Sequence, residues 1–561
     1  MFISRLRAAA KTALTRFGKD EDGALIIFAL FLFFLMVTMG GVAVDYMRYE
    51  QRRTALQNTL DRGVLAAAAM NQQLDPESVV RDYFNKAGIT GNIDAIRVTD
   101  SLNGRSVTAT GTTDADPIFL HLVGIDSLDA NGAAGAEQRV NNVEIALVLD
   151  VSGSMSGAKI AALRAAASEF VQTVLESDTQ RRISIAVVPY NAQVNLGATL
   201  AGQYTLTNVH GVAGANCVEP PTSSFAAPGL SPTSPLPMAA FADVVNGTNQ
   251  TTSFVSPSDA NFGKMVNTSP FCRKNPENVV RLPSNDVATL QAQINALTAG
   301  GNTSITLGMK WGLAMLDPGS RGVFSNLIGA GAMNAAFAGR PFDYADSDSM
   351  KVVVLMTDGE HVAHTRINDN YKTGNSPIWR STGDGNYSIR HTTGRPAAAG
   401  ANQFWVPHLC VSNDCRSGLN TAEAWRAAAW NSGAGTTQQT WQAVWANERL
   451  SWVAWQLYAR ALGTNATRSA QYNAAWNLLS SNYASVGDMN NSLQASCTQA
   501  KDRGVLVYGI AFEAPAGGIT QIRNCAISDS YFFNASTTGG LDIQTAFRTI
   551  ATNITQLRLT Q

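Results

Sequence analysis

An aspartate and two serines follow a buried-strand pattern in the first half of the chain. Asp150, Ser152 and Ser154 come directly after the apolar run 145–149, and a helical pattern at residues 159–175 follows them. A strand that ends on an aspartate and turns through two serines into a helix presents a carboxylate and two hydroxyls together. Oxygen atoms held at the carboxyl edge of a parallel sheet suit a hard divalent cation.

Two later segments supply further oxygen atoms. Thr303 follows two glycines, and Asp358 follows a second apolar run, residues 352–356. If the runs 145–149 and 352–356 are adjacent parallel strands, Asp150 and Asp358 face each other at the crevice where strand order reverses. The predicted metal ligands are Asp150, Ser152, Ser154, Thr303 and Asp358. An all-oxygen set favours Mg²⁺, with Mn²⁺ or Ca²⁺ as alternatives, over zinc or copper.

The same residues allow other interpretations. Asp150, Ser152 and Ser154 could be ordinary helix caps, since such side chains satisfy free amides at helix starts. A serine nucleophile would need a Gly-x-Ser-x-Gly elbow and a triad, and neither is evident. The sequence also has no phosphate-binding loop. We therefore expect a binding protein and not an enzyme.

Two weaker candidate sites lie further along the chain. His361 and His364 could hold a second metal, although the sequence offers no clear third ligand. Asp384 and Asn386 flank a glycine and could bind calcium, but such a triplet is more often a turn.

Apolar periodicity predicts alternating strands and helices from Val143 onward. This pattern implies an α/β fold with a doubly wound parallel sheet in a domain that spans residues 143–561. The predicted strands are residues 143–149, 183–189, 351–356, 504–512 and 530–534, and the predicted helices are residues 157–176, 286–298, 305–316 and 541–557.

Two large insertions interrupt this domain. Residues 191–280 are rich in Pro, Ser, Thr and Asn, and residues 362–486 begin as a polar, Gly-rich loop region that becomes helical from Thr421. Nine of the ten tryptophans lie in the second insertion. One helical face there could bind a partner or pack the insertion onto the sheet domain; its residues are Trp441, Trp445, Trp452, Trp455 and Tyr458.

An uncharged stretch near the N-terminus predicts a membrane anchor. Residues 23–44 carry no charge, and at ~1.5 Å each they span a hydrocarbon layer of ~30 Å. The stretch exceeds the ~7–15 apolar residues of a signal peptide, so we expect an uncleaved single-pass helix. Basic residues in segment 1–22 place the N-terminus in the cytoplasm, although three arginines just after the stretch weaken the asymmetry. Residues 45–138 predict a helical stalk and a small α+β module.

Charge and cysteines narrow the environment of the chain. Lys and Arg number 41 against 42 Asp and Glu, so no positive excess points to nucleic acid. All six cysteines follow the anchor, and complete pairing would indicate an oxidising compartment. We expect Cys217–Cys272, Cys410–Cys415 and Cys497–Cys525, because each pair closes a loop within one region; free thiols or a zinc site are the alternatives.

The order of the five oxygen ligands resembles a known motif. Asp-x-Ser-x-Ser, a later Thr, then strand-Asp-Gly is similar to the metal-ion-dependent adhesion site (MIDAS) of von Willebrand factor A domains. The resemblance implies a von Willebrand A/Rossmann-like fold in which Ser152 and Ser154 coordinate directly and Asp150 mostly through water. Thr303 and Asp358 would exchange direct and water-mediated contact, and an acidic residue of a protein partner would take the remaining position.

Both ends of the chain resemble a second family. Asp20-Glu-Asp-Gly23, Gly40-Gly-Val-Ala-Val-Asp45 and the ending 550–559 look like TadG-like proteins of tight-adherence (Tad, Flp) pilus assembly. The resemblance implies a bacterial inner-membrane protein with a periplasmic main domain that contacts pilus or envelope components through the metal site. Phe28 stands where a prepilin leader would carry Glu, so a major pilin is not expected. The alternative function is a surface-exposed adhesin that binds a host or surface ligand through the same site.

Overall fold

The computed structural model describes most of the chain and divides it into two compact units. Among the described residues, the first unit ends at Arg139, and the second runs from Asn142 to Thr560. The described residues are 15, 22–69, 74–100, 104–139, 142–178, 180–246, 254, 265–346, 348–410, 424–432, 435–537 and 539–560.

One long helix organises the first unit. The helix Asp22–Ala68 has 47 residues, and from Leu25 onward it is long and apolar enough to cross a membrane. Its N-terminal half exposes large apolar side chains, whereas Leu56 and Leu60 near its C-terminal end are fully buried against a second helix, Pro76–Ala87. The helix therefore fits a single-pass membrane anchor that continues into a folded module.

An antiparallel sheet completes the first unit. Its strands lie in the order β1 (Ile93–Asp100), β2 (Gly104–Ala115) and β3 (Leu128–Arg139). A single 3₁₀ turn, Leu120–Val123, lies in the connection between β2 and β3 and ends at Gly124, whose φ is 86°.

The second unit contains the remaining strands and helices. Its strands in chain order are β4 Asn142–Asp150, β5 Ile183–Tyr190, β6 Leu206–Thr207, β7 Leu236–Pro237, β8 Arg281–Ser284, β9 Ser349–Thr357, β10 His364–Ile367, β11 Asn375–Ser381, β12 Tyr387–Arg390, β13 Phe404–Trp405, β14 Trp425–Arg426, β15 Thr436–Thr440, β16 Ser480–Ala484, β17 Leu506–Phe512 and β18 Phe532–Ala535. Its longer helices are Ala158–Glu176, Val287–Ala296, Ile305–Leu316, Arg321–Gly329, Arg468–Leu479, Val486–Asp502, Ala516–Cys525 and Ile543–Thr560.

A six-stranded sheet forms the centre of the second unit. The strand order is β18-β17-β9-β4-β5-β8, with parallel pairing throughout except between β5 and β8. Even-numbered residues of β4 pack toward the helix Ile305–Leu316, and odd-numbered residues pack toward Ala158–Glu176 and Ile543–Thr560. The α/β class is confirmed, and the sheet is mixed because the unforeseen short strand β8 joins its edge antiparallel.

The prediction for the second insertion was wrong. The segment that was expected to be a loop contains β10 to β13, and β11 to β15 form a five-stranded sheet of their own. Thr421 lies outside the described residues, and past it the chain forms β14 and β15 before the helix Trp441–Asn447 begins. Ile378 and Ile389 sit opposite each other on β11 and β12, so the few aliphatic residues of this region coincide in register.

The tryptophan face packs inside the insertions and not onto the central sheet. Trp441, Trp445 and Trp452 are buried in a core that also takes in Ala242 and Met265 of the first insertion. The face is also divided between two helical segments: the helix Trp441–Asn447 ends at the extended residues Glu448 and Arg449, and a second segment begins at Leu450 and continues into a π-helical turn, Val453–Ala459. The aromatic residues therefore build a separate small core that is shared by the two insertions.

Ion pairs and disulfides fasten these segments. Lys372 contacts the buried Glu219 at 2.6 Å, which links the second insertion to the first. The expected disulfides Cys217–Cys272 and Cys497–Cys525 are present, with Cα separations of 5.7 and 5.1 Å. Cys415 of the expected pair Cys410–Cys415 lies outside the described residues.

Candidate metal centre

The central strand β4 positions the first candidate ligand. All nine of its residues are buried. It lies between β5, the next strand in the chain, and β9, a much later one, so the strand order reverses between β4 and β9. Leu149 pairs with Met356 at the carboxyl ends of β4 and β9. Asp150 and Asp358 therefore come from adjacent strand ends, at the kind of edge where open α/β sheets bind ligands.

The Asp150 carboxylate is completely buried and firmly held. Its Oδ1 accepts the Ser152 N–H at 2.8 Å, and its Oδ2 accepts the Thr357 hydroxyl at 2.7 Å. Burial, helped by the nearby Asp358 charge, raises the pKa of Asp150 to about 6 against the opposing effect of these hydrogen bonds. A positive charge beside this carboxylate would offset the cost of burying its ionised form.

Hydroxyl groups connect the turn after β4 to Asp358. The Ser152 and Ser154 Oγ atoms lie 3.0 Å apart, and the Ser154 hydroxyl donates to Asp358 Oδ1 at 2.7 Å. Ser152 is buried, whereas Ser154 is exposed. The oxygen cluster can therefore be reached from solvent on the side of Ser154.

The loop that carries Thr303 is tied to the same turn. Gly153 donates its N–H to the Gly301 carbonyl at 2.8 Å, and Gly301 has a φ of 93°, which favours glycine. A β-carbon on Gly359 would lie 3.2 Å from Thr303 Oγ1 and 3.8 Å from Ser154 Oγ. Thr303 and Ser154 thus both lie close to Gly359, and the structure places Thr303 in the same small region as the other four predicted ligands.

A lysine that the sequence analysis did not single out reaches into the cluster. Lys159 lies on the first turn of the helix Ala158–Glu176, and its Nζ is 3.0 Å from Asp358 Oδ2 and 3.7 Å from a Glu513 carboxylate oxygen. It supplies one positive charge to a group of three carboxylates. Its position nine residues after Asp150 was the only available signal, and that spacing alone does not indicate the contact.

The weaker candidates have other roles. His361 Nε2 accepts the Thr306 N–H at 3.0 Å and Nδ1 lies 2.7 Å from Asn490 Oδ1, while His364 Nε2 lies 2.8 Å from Gln193 Nε2. Burial lowers the pKa of both histidines to about 4, so both are neutral at pH 7. Among the described residues, no cluster of three or more His, Cys, Asp or Glu side chains could hold a metal.

The Asp384 triplet is a turn between β11 and β12. Asp384 Oδ1 accepts the Asn386 N–H at 3.0 Å, and its Oδ2 accepts the indole N–H of Trp430 at 2.8 Å. Gly385 between them has a φ of 74°. One carboxylate oxygen of Asp384 thus closes the hairpin, and the other binds Trp430.

The donor set at the β4–β9 edge fits a hard cation. Two buried carboxylates and three hydroxyls converge there, oxygen is the only donor type, and one hydroxyl faces solvent. Occupation by a metal nevertheless stays a prediction, as does the choice of Mg²⁺ over Mn²⁺ or Ca²⁺.

Comparisons with known proteins connect the N-terminal helix to pili. Residues 23–70 match the Tad family model, which is described as Flp pilus-assembly TadE/G-like. The predicted resemblance to that family is therefore confirmed for this segment. A comparison with curated proteins gives no match.

Several solved structures are similar to this chain at low TM-scores. The vWF domain of the type V pili tip protein Mfa5 from Porphyromonas gingivalis is 13% identical, with a TM-score of 0.31, and the match covers 75% of this chain and 97% of that one. The pilus adhesin RrgA from Streptococcus pneumoniae is 11% identical, with a TM-score of 0.30, over 82% of this chain and 49% of that one. The pilus adhesin SpaC from Lactobacillus rhamnosus GG is 10% identical, with a TM-score of 0.27, over 83% and 33%.

Proposed function

We propose that this protein is a membrane-anchored, metal-dependent protein-binding component of Tad/Flp pilus assembly. The observation that carries the proposal is the convergence of Asp150, Ser152, Ser154, Thr303 and Asp358 at one sheet edge from three separate segments. The family match at residues 23–70 supplies the link to the pilus system. The main domain is a von Willebrand A-type doubly wound sheet in this proposal, and helices on both faces of the central sheet support that assignment.

The chemistry follows from the donors. A divalent cation supplies a strong positive field and an open coordination position that attracts a carboxylate. Asp150 and Asp358 bring two negative charges, and the hydroxyls of Ser152 and Ser154 orient toward the same space. Because Ser154 is exposed, an acidic side chain of a protein partner can approach from that side.

The anchor defines where this contact takes place. The exposed apolar surface of the helix from Leu25 fits a single inner-membrane span, and the basic segment 1–22 favours a cytoplasmic N-terminus. The disulfide-bearing second unit is then periplasmic, where disulfides persist. The partners are pilus or envelope components that offer a carboxylate.

A binding experiment tests the proposal directly. The full chain in detergent is titrated with Mg²⁺ by calorimetry and used to recover proteins from an envelope extract, with Mg²⁺ or with EDTA. We expect binding of one cation, recovery of pilus components with Mg²⁺, and at least tenfold lower recovery with EDTA or with Asp150→Ala. Ser154→Ala, which removes the hydroxyl that donates to Asp358 Oδ1, should show the same loss.

Ser156→Ala is the matched control, since Ser156 is exposed on the same turn and is not a predicted ligand. Equal recovery by the wild-type protein and Asp150→Ala would refute metal-dependent contact. Fractionation separates the alternative: retention with the inner membrane supports an assembly role, whereas accessibility on intact cells supports a surface adhesin.

A further inference from the structure

The connection between β2 and β3 presents an exposed apolar surface. Ile118, Leu122, Val123 and Ile125 are 59%, 76%, 58% and 41% exposed. Residues 117–125 contain no Lys, Arg, Asp or Glu. Such a concentration of exposed large apolar side chains in nine residues marks a surface that is covered by something other than water.

Hydrogen bonds fix this connection to the long helix. Asp45 is only 1% exposed. Its carboxylate accepts hydrogen bonds from three backbone N–H groups, those of Ile118 at 2.9 Å, Phe119 at 2.7 Å and Leu120 at 2.8 Å. Charge-assisted hydrogen bonds of this kind are strong and geometrically specific. The connection is therefore held at the level of Asp45 on the helix.

A close apolar contact fixes the same connection one turn earlier. A β-carbon on Gly41 would overlap the ring of Phe119, whereas one on the adjacent Gly40 would meet no atom within 4 Å. Gly41 is thus the position that lets Phe119 approach the helix closely. The contact lies inside the uncharged stretch 23–44, about 6 Å along the helix axis from Asp45.

We propose that residues 117–125 insert into the lipid bilayer at the level where the membrane helix emerges. The inference rests on the proposed membrane anchor and adds a second membrane contact to it. Lipid is the favoured occupant because this surface is attached to the helix within its uncharged stretch: Phe119 lies against Gly41, and the helix exposes Met39 and Val44 at the same level. Interfacial segments bury apolar side chains ~5–10 Å into the headgroup and acyl boundary. The short 3₁₀ turn Leu120–Val123 is small enough to insert to such a depth without crossing the bilayer.

Depth-dependent quenching tests this insertion. The full chain is reconstituted into phosphatidylethanolamine and phosphatidylglycerol vesicles with an environment-sensitive fluorophore at Leu122→Cys, and quenched by nitroxide lipid or aqueous iodide. Thr108→Cys is the control, since Thr108 is exposed on β2 seven residues before Ala115, about 23 Å away along the strand. We expect at least twofold stronger lipid quenching at Leu122→Cys than at Thr108→Cys, and the reverse order with iodide.

Two glycine variants test the docking that positions the loop. Gly41→Leu should displace Phe119 and reduce lipid quenching at Leu122→Cys by at least half, whereas Gly40→Leu should leave it unchanged. A label at Phe31→Cys, in the middle of the uncharged stretch, reports the anchor separately.

Each contrary outcome has one meaning. Iodide quenching at Leu122→Cys equal to that at Thr108→Cys, with Phe31→Cys quenched by lipid, would overturn the loop insertion and leave the anchor standing. Shielding of Leu122→Cys from both quenchers would mean that a protein surface covers the loop, and would also overturn it. Loss of lipid quenching at Phe31→Cys would refute the anchor and the insertion together.

Discussion

At the scale of single residues, the ligand types could be predicted but their neighbours could not. Strand periodicity and the Asp-x-Ser-x-Ser spacing were enough to select Asp150, Ser152 and Ser154. The contact between Lys159 and Asp358 joins residues that are 199 positions apart, and no local pattern encodes it. The same holds for the Thr357 hydroxyl that donates to Asp150.

Lys159 should weaken cation binding. Its ammonium group stands 3.0 Å from an Asp358 oxygen, where it repels an incoming dication and competes for that oxygen. Lys159→Met should tighten Mg²⁺ binding about thirtyfold, which corresponds to about 2 kcal/mol of repulsion between a dication and a unit charge at ~4 Å in a dielectric of about 80. Calorimetric titration measures the change, and Lys86→Met, at an exposed lysine of the first unit, serves as the control. Weaker binding by Lys159→Met would show that the lysine supports the site.

Glu448 should make stability depend on pH. Tyr387 donates to Glu448 Oε1 at 2.8 Å, and among the described residues Oε2 has no hydrogen-bond partner. Burial raises the pKa of Glu448 from 4.5 to about 7, so its stabilising contribution is full below pH 4.5 and is lost as pH rises through 7. Glu448→Gln, which resembles the protonated form, should therefore stabilise the protein by about 2–3 kcal/mol at pH 8 and change little at pH 4.

Chemical denaturation at the two pH values measures this difference. Glu176→Gln, at an exposed carboxylate, should leave both values unchanged. An equal effect of Glu448→Gln at pH 4 and pH 8 would contradict the assignment of a raised pKa.

At the scale of secondary structure, elements with their own apolar periodicity could be predicted. Elements whose apolar contacts come from distant segments could not. The five parallel strands of the central sheet and the helix Ile305–Leu316 were placed to within a few residues, whereas the short antiparallel strand β8 was not predicted. Strands β10 to β15 have two to seven residues each, and their apolar cover comes from tryptophans later in the chain. A strand that packs mainly against apolar side chains of a distant segment need not show apolar alternation in its own sequence.

Trp445 should hold the insertion sheet together without affecting the metal centre. Its indole is 1% exposed, stacks on Trp441 at 5.4 Å and donates to the Tyr371 carbonyl at 2.7 Å. Trp445→Ala should cost about 3–5 kcal/mol of local stability. Hydrogen exchange should show lost protection in β11 and β12, while Mg²⁺ affinity stays within twofold of wild type.

The partly exposed Trp379 provides the comparison, since Trp379→Ala should cost clearly less. Loss of Mg²⁺ affinity in Trp445→Ala would mean that the insertion core and the metal centre are coupled.

At the scale of the whole molecule, the order of elements could be predicted and the packing between insertions could not. The alternation of strands and helices indicated the α/β class, and the uncharged stretch 23–44 indicated the anchor. The ion pairs Glu219–Lys372 and Asp243–Arg449 join segments that the sequence offered no reason to associate. Buried charge pairs form where two distant segments of the chain meet in space, which a linear pattern does not record.

Membrane topology should follow the proposed orientation. A membrane-impermeant maleimide should modify Ser156→Cys in intact spheroplasts, because the second unit faces the periplasm in this orientation. It should modify Ser4→Cys, in the basic segment, only after lysis. Mass spectrometry of the two variants measures labelling, and the cysteine pairs already present serve as an unlabelled background. The opposite labelling order would reverse the orientation.

The uninterrupted helix Asp22–Ala68 has a mechanical consequence. The folded core of the first unit takes in helix residues from Leu56 onward, and the helix is unbroken between the apolar stretch and Leu56, so no flexible linker separates the two. Force applied to the sheet β1–β3 is therefore transmitted through a continuous helix to the apolar stretch. The core cannot rotate freely relative to that stretch. If the apolar stretch is held in place, the first unit therefore keeps a fixed orientation relative to it and does not move as a flexibly tethered domain.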